Sequence, residues 1–301
     1  MKSGFIALIG RPNAGKSTLL NSLLDKKIAI VTPKAQTTRN AIRGILTNNE
    51  YQMIFVDTPG IHKPHHKLGN NMNKTAMSEA QGVDVVYLLV DATVKFGSGD
   101  EYIIQYLQSI KSPVFLILNK VDQLNQEQIF KKIIEYKDLY PFKEIFPISA
   151  LKDDDFNKLL NVTTEYLKDD IQYYPTNQMT DYPEQFIISE IIREKILTLT
   201  NDEIPHSVAV IIEKMGYKKD NLIINAMILV ERDSQKGIII GKQGQMIKNI
   251  GMLAREELQL ILGNKIYLEL FVRVEKDWRN KMAKLKELGY VEVINLDEWN
   301  S

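Results

Sequence analysis

Residues 10–17 read GRPNAGKS, two glycines separated by four residues and followed by lysine and serine. A turn of this composition wraps successive backbone N–H groups around anionic oxygens, and the helix it opens adds positive potential. Lys16 would pair with β- and γ-phosphates and Ser17 Oγ would ligate Mg²⁺. The nucleotide contacts expected here are therefore Gly10, Arg11, Pro12, Asn13, Ala14, Gly15, Lys16, Ser17 and Thr18. A second motif, DTPG, supplies Asp57 as the Mg²⁺-side acid, acting through water, then Thr58, Pro59 and Gly60, whose N–H can approach a γ-phosphate. A third, NKVD at 119–122, ends in a carboxylate that can accept two hydrogen bonds from the N1–H and 2-amino group of guanine. Adenine has no such donor pair and would leave that charge unsatisfied, so GTP is preferred over ATP. Asn119 would touch the other edge of the base and tie loops together, and the stem of Lys120 would pack over the ring. In SALK at 149–152 the Ala150 N–H is placed to donate to guanine O6, with Ser149 and Leu151 beside it.

These motifs need rigid elements to hold them. FIALI at 5–9, QMIFV at 52–56, VVYLLVD at 85–91 and VFLILN at 114–119 are short β-rich runs separated by longer helical segments. Continuous apolar strands alternating with helices predict an α/β domain with a mainly parallel sheet covered on both faces. GRPNAGKS then falls between strand 5–9 and helix 17–24, and DTPG and NKVD fall at strand carboxyl ends, where open α/β sheets bind ligands. The segment 153–170 reads as a closing helix through Phe156, Leu159, Leu160, Val162 and Leu167. Residues 171–183, with two prolines and no periodicity, read as a linker.

Beyond it the pattern changes. A helix at 184–200, with Phe186, Ile187, Ile191 and Ile196 on one side, precedes strands at 207–215 and 221–231. A glycine-punctuated helical region follows at 237–262, then a strand at 265–275 and a charged helix at 277–288. The order α-β-β-α-α-β is that of an α+β domain with GKQG at 241–244 joining its two middle helices. The expected division is 1–170, linker 171–183, 184–280, and a C-terminal helix and tail at 281–301.

The 301 residues, 44% apolar and 25% charged, carry 38 basic and 38 acidic side chains. That composition fits two globular domains. With no cysteine there is no disulfide framework, thiolate zinc site or cysteine nucleophile. The longest apolar run, VVYLLV, is far short of the roughly 20 residues that cross a bilayer, and the N-terminus reads as a strand rather than a signal peptide. His62, His65 and His66 have no thiolate to complete a zinc site and read as a solvated loop. Arg39 and Arg43 read as solvated too. Residues 271–286 gather Arg273, Lys276, Arg279, Lys281, Lys284 and Lys286. Such a segment suits RNA phosphates or an anionic membrane surface.

GRPNAGKS, DTPG, NKVD and SALK, in this order, resemble the G1, G3, G4 and G5 motifs of translation-factor-related GTPases. AQTTRN at 35–40 resembles the G2 segment of the Era branch, which implies that Thr38 ligates Mg²⁺ and senses the γ-phosphate, Thr37 being the near alternative. Residues 184–280 resemble a type II KH domain, whose GxxG loop clamps the backbone of about four single-stranded nucleotides. Together the halves resemble the Era family of bacterial ribosome-assembly GTPases. The resemblance implies a switch that hydrolyses GTP to GDP and phosphate. It also implies binding near the 3′ end of 16S-type small-subunit rRNA during maturation of the 30S precursor. Catalysis would rest on Lys16, Thr38, Asp57, Gly60 and Asn13, the last holding K⁺. RNA contacts would come from Gly241, Lys242, Gln243, Gly244, Lys248, Arg273, Lys276 and Arg279, with Ile238, Ile239, Ile240 and Ile247 either lining the groove or packing in the core. A cytoplasmic monomer with peripheral membrane contact is expected. Ile61 stands where Ras-like enzymes carry the water-orienting glutamine, so slow intrinsic turnover is expected. An RNA-binding scaffold with a structural nucleotide site and a membrane-associated signalling GTPase are the alternatives.

Overall fold

The computed structural model describes residues 1–291 apart from Ala35, His65, Asp154, Asp169, Asp202, Glu203 and Asp220. Six strands form the first sheet: β1 (Lys2–Gly10), β2 (Ile42–Thr47), β3 (Tyr51–Asp57), β4 (Val85–Asp91), β5 (Val114–Asn119) and β6 (Glu144–Pro147). Their order is β2-β3-β1-β4-β5-β6, parallel throughout except for β2, which pairs antiparallel with β3. Every residue of β3 is buried, because helices cover both faces and neither side of the strand needs polar residues. The helices are α1 (Lys16–Leu24), α2 (Lys67–Glu79), α3 (Ser98–Leu107), α4 (Gln126–Lys137) and α5 (Asn157–Tyr166). One face packs Leu19, Leu20, Phe55, Tyr87, Phe115 and Leu159; the other packs Ile9, Val86, Leu88, Ile103, Leu107 and Leu116.

Register carries the motifs to one edge. Leu8 lies opposite Asp57 and Asp91 opposite Asn119, so the phosphate loop, DTPG and NKVD emerge together at the carboxyl ends of β1, β3 and β5. β2 has no counterpart among the runs read from sequence, since Arg43 and Gly44 interrupt its apolar pattern. The 171–183 stretch is fastened to this region of the sheet. Tyr174 and Gln52 exchange two hydrogen bonds of 2.9 Å, Ile45 N–H donates to the Met179 carbonyl at 2.8 Å, and Arg43 pairs with Asp181 at 3.0 Å.

The chain divides into two compact units, Met1–Lys63 with Asn73–Ile187, and Pro64–Met72 with Ile188–Ser301. The remaining elements are α6 (Glu184–Leu199), α7 (Ile204–Ser207), β7 (Ala209–Lys218), β8 (Asn221–Val230), α8 (Asp233–Ile240), α9 (Gln245–Leu262), β9 (Lys265–Val274) and α10 (Met282–Glu287). Their sheet runs β7-β8-β9, the first pair antiparallel and the second parallel, with a bulge between Ile212 and Lys214. On β8, Leu222, Ile224, Ala226 and Ile228 are wholly buried on one face, the period-2 pattern of a half-covered strand.

Two expectations are corrected. α6 buries Ile188, Ile192 and Leu197 as well as Ile191 and Ile196, whereas Phe186 and Ile187 are only half-buried, so it has no single apolar side. The charged helix at 277–288 is broken: Asp277 is left-handed at φ 54°, Trp278–Asn280 form a tight turn, and only Met282–Glu287 is helical. The cause is Trp278, which is wholly buried among Leu68, Met72, Ala209, Leu229 and Leu285 and donates its indole N–H to the Ser207 carbonyl at 2.9 Å. Trp299 lies outside the described residues. Among the described residues no helix is long and apolar enough to cross a membrane.

Candidate functional site

The phosphate loop closes around the side chain of Lys16, which is buried and donates to the carbonyls of Gly10 and Arg11 at 3.3 and 3.1 Å. Gly15 opens α1 in a left-handed conformation, φ 97°, and a β-carbon there would lie 2.0 Å from Asn119 Nδ2. Only glycine satisfies both demands. Gly60 is required by proximity instead, since its β-carbon would lie 2.7 Å from the Pro12 backbone. Pro12, Asn13, Lys16, Ser17, Thr18, Thr38, Gly60 and Lys120 line one cavity of about 260 Å³, joined by Ile30, Val31, Thr32, Pro33 and Gln36.

Three hydroxyl and carboxylate groups converge beside Lys16. Ser17 Oγ lies 2.5 Å from Asp57 Oδ2 and 2.8 Å from Thr38 Oγ1, and Thr38 Oγ1 lies 3.5 Å from the same carboxylate oxygen. Thr37 also lines the cavity, but its hydroxyl is engaged by Thr32 and the Lys34 carbonyl. Thr38, not Thr37, therefore faces the acid. Asp57 Oδ1 is buried without a hydrogen-bond partner among the described residues. Burial pushes the Asp57 carboxyl up to about 6, against the pull of Lys16, Ser17 and Thr38. Burial also pulls the Lys16 ammonium down to about 8, against the raising effect of Asp57. Two buried groups disfavoured in their charged forms call for added charge of both signs. Clustered hard oxygens with an orphaned carboxylate atom fit Mg²⁺, and a buried lysine beside a phosphate loop fits a polyphosphate.

Asn119 ties the loops together as expected. Its Nδ2 donates to the Ala14 carbonyl at 2.8 Å, and its Oδ1 accepts from the N–H groups of Lys120 and Ala150 at 2.8 and 2.9 Å. Because the Ala150 N–H is donated to Asn119, it is not left free for a base oxygen. Asp122 is held by Ser149 Oγ at 2.8 Å and by Lys152 at 3.3 Å, and the Ser149 hydrogen bond keeps its carboxyl below the usual range. It stays an ionised acceptor. Lys120, left-handed at φ 65°, is anchored to Asp91 at 2.6 Å.

Several expected contacts turn elsewhere. Arg11 pairs with Asp100 at 2.9 Å, Thr58 donates to the Leu8 carbonyl at 2.8 Å, and Leu151 is exposed. Asn13 is left-handed and its amide donates to the Pro33 carbonyl at 2.9 Å. Arg39 is buried, and Arg43 is tied to Asp181, so neither is a solvated switch-loop arginine. The histidine loop is not simply solvated either. His62 is half-buried against Gly60, Gln36 and Asn73, and His66 Nδ1 accepts from the Gly69 N–H at 3.0 Å; His65 lies outside the described residues. Among the described residues no group of three or more histidine, aspartate or glutamate side chains is placed to hold a metal ion.

In the second unit GKQG forms the tight turn Lys242–Gly244 between α8 and α9, with Gly241, Gln243 and Gly244 all at positive φ. Beside it runs a groove lined by Ile247, Lys248, Gly251, Met252 and Arg255 on α9 and by Leu268 and Leu270 on β9. Residues 247, 251 and 255 follow at four-residue spacing, one stripe of a helix. Of the four isoleucines considered, only Ile247 lines the groove; Ile239 is wholly buried and Ile238 is exposed. Lys242, Lys248, Arg273 and Lys276 are exposed. Arg279 instead pairs with Glu231 at 2.5 Å and donates to the His206 carbonyl, so it is not a free phosphate ligand.

Residues 5–120 match the family of 50S ribosome-binding GTPases, and residues 203–279 match the KH domain. A crystal structure of Aquifex aeolicus Era bound to GDP·AlF4⁻ is 40% identical, covers 97% of this chain and all of its own, and superposes with a TM-score of 0.93. A structure of Era in complex with MgGDPNP and nucleotides 1506–1542 of 16S ribosomal RNA is also 40% identical with the same coverage and a TM-score of 0.94. The chain belongs to the Era family. It is a GTPase with a C-terminal KH domain, on a mostly parallel P-loop fold.

For this Era-family chain, sequence reasoning missed the cavity wall at Ile30–Pro33 and the groove residues Met252, Arg255, Leu268 and Leu270. The groove carried a signal: the four-residue stripe from Ile247 to Arg255 is visible in the sequence once GKQG marks the helix start. The wall at 30–33 carried none, since loop residues are placed by the fold alone.

Proposed function

We propose that the chain is a GTP-hydrolysing switch that binds small-subunit rRNA near its 3′ end and assists maturation of the 30S subunit. The single observation that carries this is the convergence of Lys16, Ser17 and Thr38 on one cavity, with Asp57 hydrogen-bonded to Ser17 and Thr38, at the sheet edge that also presents Asp122. The groove beside GKQG supports the RNA half of the reading. Ser17, Thr38 and Asp57 would hold Mg²⁺, which supplies electrostatic stabilisation of charge on the phosphates. Lys16 and the backbone of residues 10–18 would bind and orient those phosphates, and Gly60 N–H would face the terminal one. Asp122 would select guanine. Asn13, whose amide nitrogen is tied to Pro33, would offer its carbonyl oxygen to K⁺.

Gly241, Lys242, Gln243, Gly244, Lys248, Arg273 and Lys276 would contact RNA, with Arg255 added, whereas Arg279 is taken by Glu231. The small-subunit assignment follows the relative solved with 16S RNA, which covers 97% of this chain, whereas the 50S ribosome-binding GTPase family matches only residues 5–120. In this reading residues 1–170 are the GTP-binding domain, 171–183 a strapped linker, 184–280 the KH domain and 281–301 the C-terminal helix and tail. The protein works in the cytoplasm as a monomer, its basic segment at 271–286 also suiting an anionic membrane surface.

The test is binding of the purified protein to a short single-stranded RNA from the 3′ end of small-subunit rRNA, against a scrambled control, with a non-hydrolysable GTP analogue and with GDP. Selective binding that is tighter with the GTP analogue is expected. Equal, weak binding in all four arms refutes the RNA half of the proposal.

A further inference from the structure

GTP hydrolysis needs a group that orients the attacking water against the terminal phosphate. The position after Gly60 cannot provide it. Ile61 is 1% exposed, its side chain packs in the core with Ala7, Ile9 and Val86, and its N–H is donated to the Gly10 carbonyl at 3.1 Å.

The facing wall of the same cavity carries a glutamine. Gln36 lines the cavity together with Lys16, Thr38 and Gly60 and sits at φ 60°, a left-handed conformation that non-glycine residues adopt at a cost. Its side-chain Nε2 lies 3.0 Å from His62 Nε2, and His62 Nδ1 lies 2.9 Å from the Gly60 carbonyl oxygen. These two contacts fix both the ring tautomer and the amide orientation. A carbonyl only accepts, so Nδ1 of the neutral ring carries the proton and Nε2 is an acceptor. Gln36 must then present its N–H₂ to the ring, which leaves Oε1 as its remaining polar atom. That oxygen is buried and has no hydrogen-bond partner among the described residues. Asn73 holds the His62 backbone from both sides, accepting from its N–H at 3.2 Å and donating to its carbonyl at 2.6 Å, so the loop that carries the ring is fixed.

A strained glutamine with a buried, unpaired acceptor, held by a clamped histidine on the wall of a phosphate cavity, is a site awaiting a donor. We propose that Gln36 is a catalytic residue whose Oε1 accepts a hydrogen bond from the attacking water, and that His62 is the positioning residue that aims it. The glutamine missing after DTPG is thereby supplied from the opposite loop. This rests on the GTPase reading above.

The experiment compares the full chain with Gln36→Ala, His62→Ala and the double variant, in Mg²⁺ and K⁺. Single-turnover GTP hydrolysis is measured alongside the Kd for a non-hydrolysable GTP analogue. Gln36→Ala is expected to slow hydrolysis by about a hundredfold, with analogue affinity unchanged within about threefold. Because His62 acts only through Gln36, the double variant is expected to be no slower than Gln36→Ala alone. An unchanged hydrolysis rate in Gln36→Ala, or a matching loss of analogue affinity, overturns the catalytic role. Multiplicative losses in the double variant overturn the positioning role. Absence of turnover in the unsubstituted chain would instead sink the GTPase reading itself.

Discussion

Gly15 and Asn119 are separated by so little space that a β-carbon on the glycine would lie 2.0 Å from the asparagine amide nitrogen. The phosphate loop and the base-reading loop are thus interlocked. Gly15→Ala would both strain a backbone at φ 97° and displace Asn119. Guanine nucleotide binding is expected to disappear in Gly15→Ala while the far-ultraviolet circular dichroism of the chain is retained. Asn119→Ala removes the acceptor for Ala150 and the donor to Ala14, leaving buried backbone groups unpaired. A loss of roughly 2–4 kcal/mol in stability is expected from two such groups, read from chemical denaturation.

In the proposed function Asp122 selects guanine, and Ser149 and Lys152 keep it an ionised acceptor. Asp122→Asn replaces one accepting oxygen with a donor and discards the charge. Affinity for GDP should fall by about 10- to 100-fold, through the loss of a charged hydrogen bond to the base. Affinity for xanthosine diphosphate, whose 2-oxo group accepts, should rise. Competition titrations with the two nucleotides check this.

Nucleotide affinity should depend on pH through Lys16. Burial holds its ammonium down to about 8 in the free protein, and bound phosphates favour the charged form. The pKa therefore rises on binding, so full affinity is present below pH 8 and is lost as pH climbs above it, approaching tenfold per pH unit. Between pH 8 and 9 binding is accompanied by proton uptake. Isothermal titration calorimetry of GDP at pH 7 and 8.5 in buffers of different ionisation enthalpy measures that uptake. A buffer-independent heat at pH 8.5 would contradict the assignment of Lys16.

In the KH unit Lys248 and Arg255 stand on the rim of an apolar groove with no ion-pair partner among the described residues. Lys248→Ala and Arg255→Ala should each weaken RNA binding and reduce the slope of log affinity against log salt by about 0.7, the value for one phosphate contact on a single strand. Arg279→Ala should act differently, because its guanidinium serves Glu231. It should lower unit stability and leave the salt slope unchanged. Filter binding at three salt concentrations separates the two effects.

Trp278 anchors the second unit, filling the space among Leu68, Leu229 and Leu285 and satisfying the Ser207 carbonyl. Trp278→Ala should cost about 3–5 kcal/mol. Thermal unfolding followed by circular dichroism checks it.

What the sequence alone determined here is whatever depends on backbone geometry at short range. GRPNAGKS, DTPG and NKVD each combine a turn-forming residue with the end of an apolar run, so the strand, the turn and the outward chemical group are encoded within a dozen positions. The same holds for GKQG between two helices. The tertiary structure alone decided which polar atoms remain available. Asn119 and Ala150 are hydrogen-bonded to each other across a separation of 31 residues, Arg279 is taken by Glu231, and Arg43 by Asp181. Ser17, Thr38 and Asp57 meet only because parallel pairing sets β1 beside β3 and places Leu8 opposite Asp57. Gln36 and His62 follow the same logic: Gln36 stands in AQTTRN and His62 just past DTPG, yet their relationship exists only once two loops fold against each other. Side-chain satisfaction is a long-range property, and local patterns of residues carry no record of it.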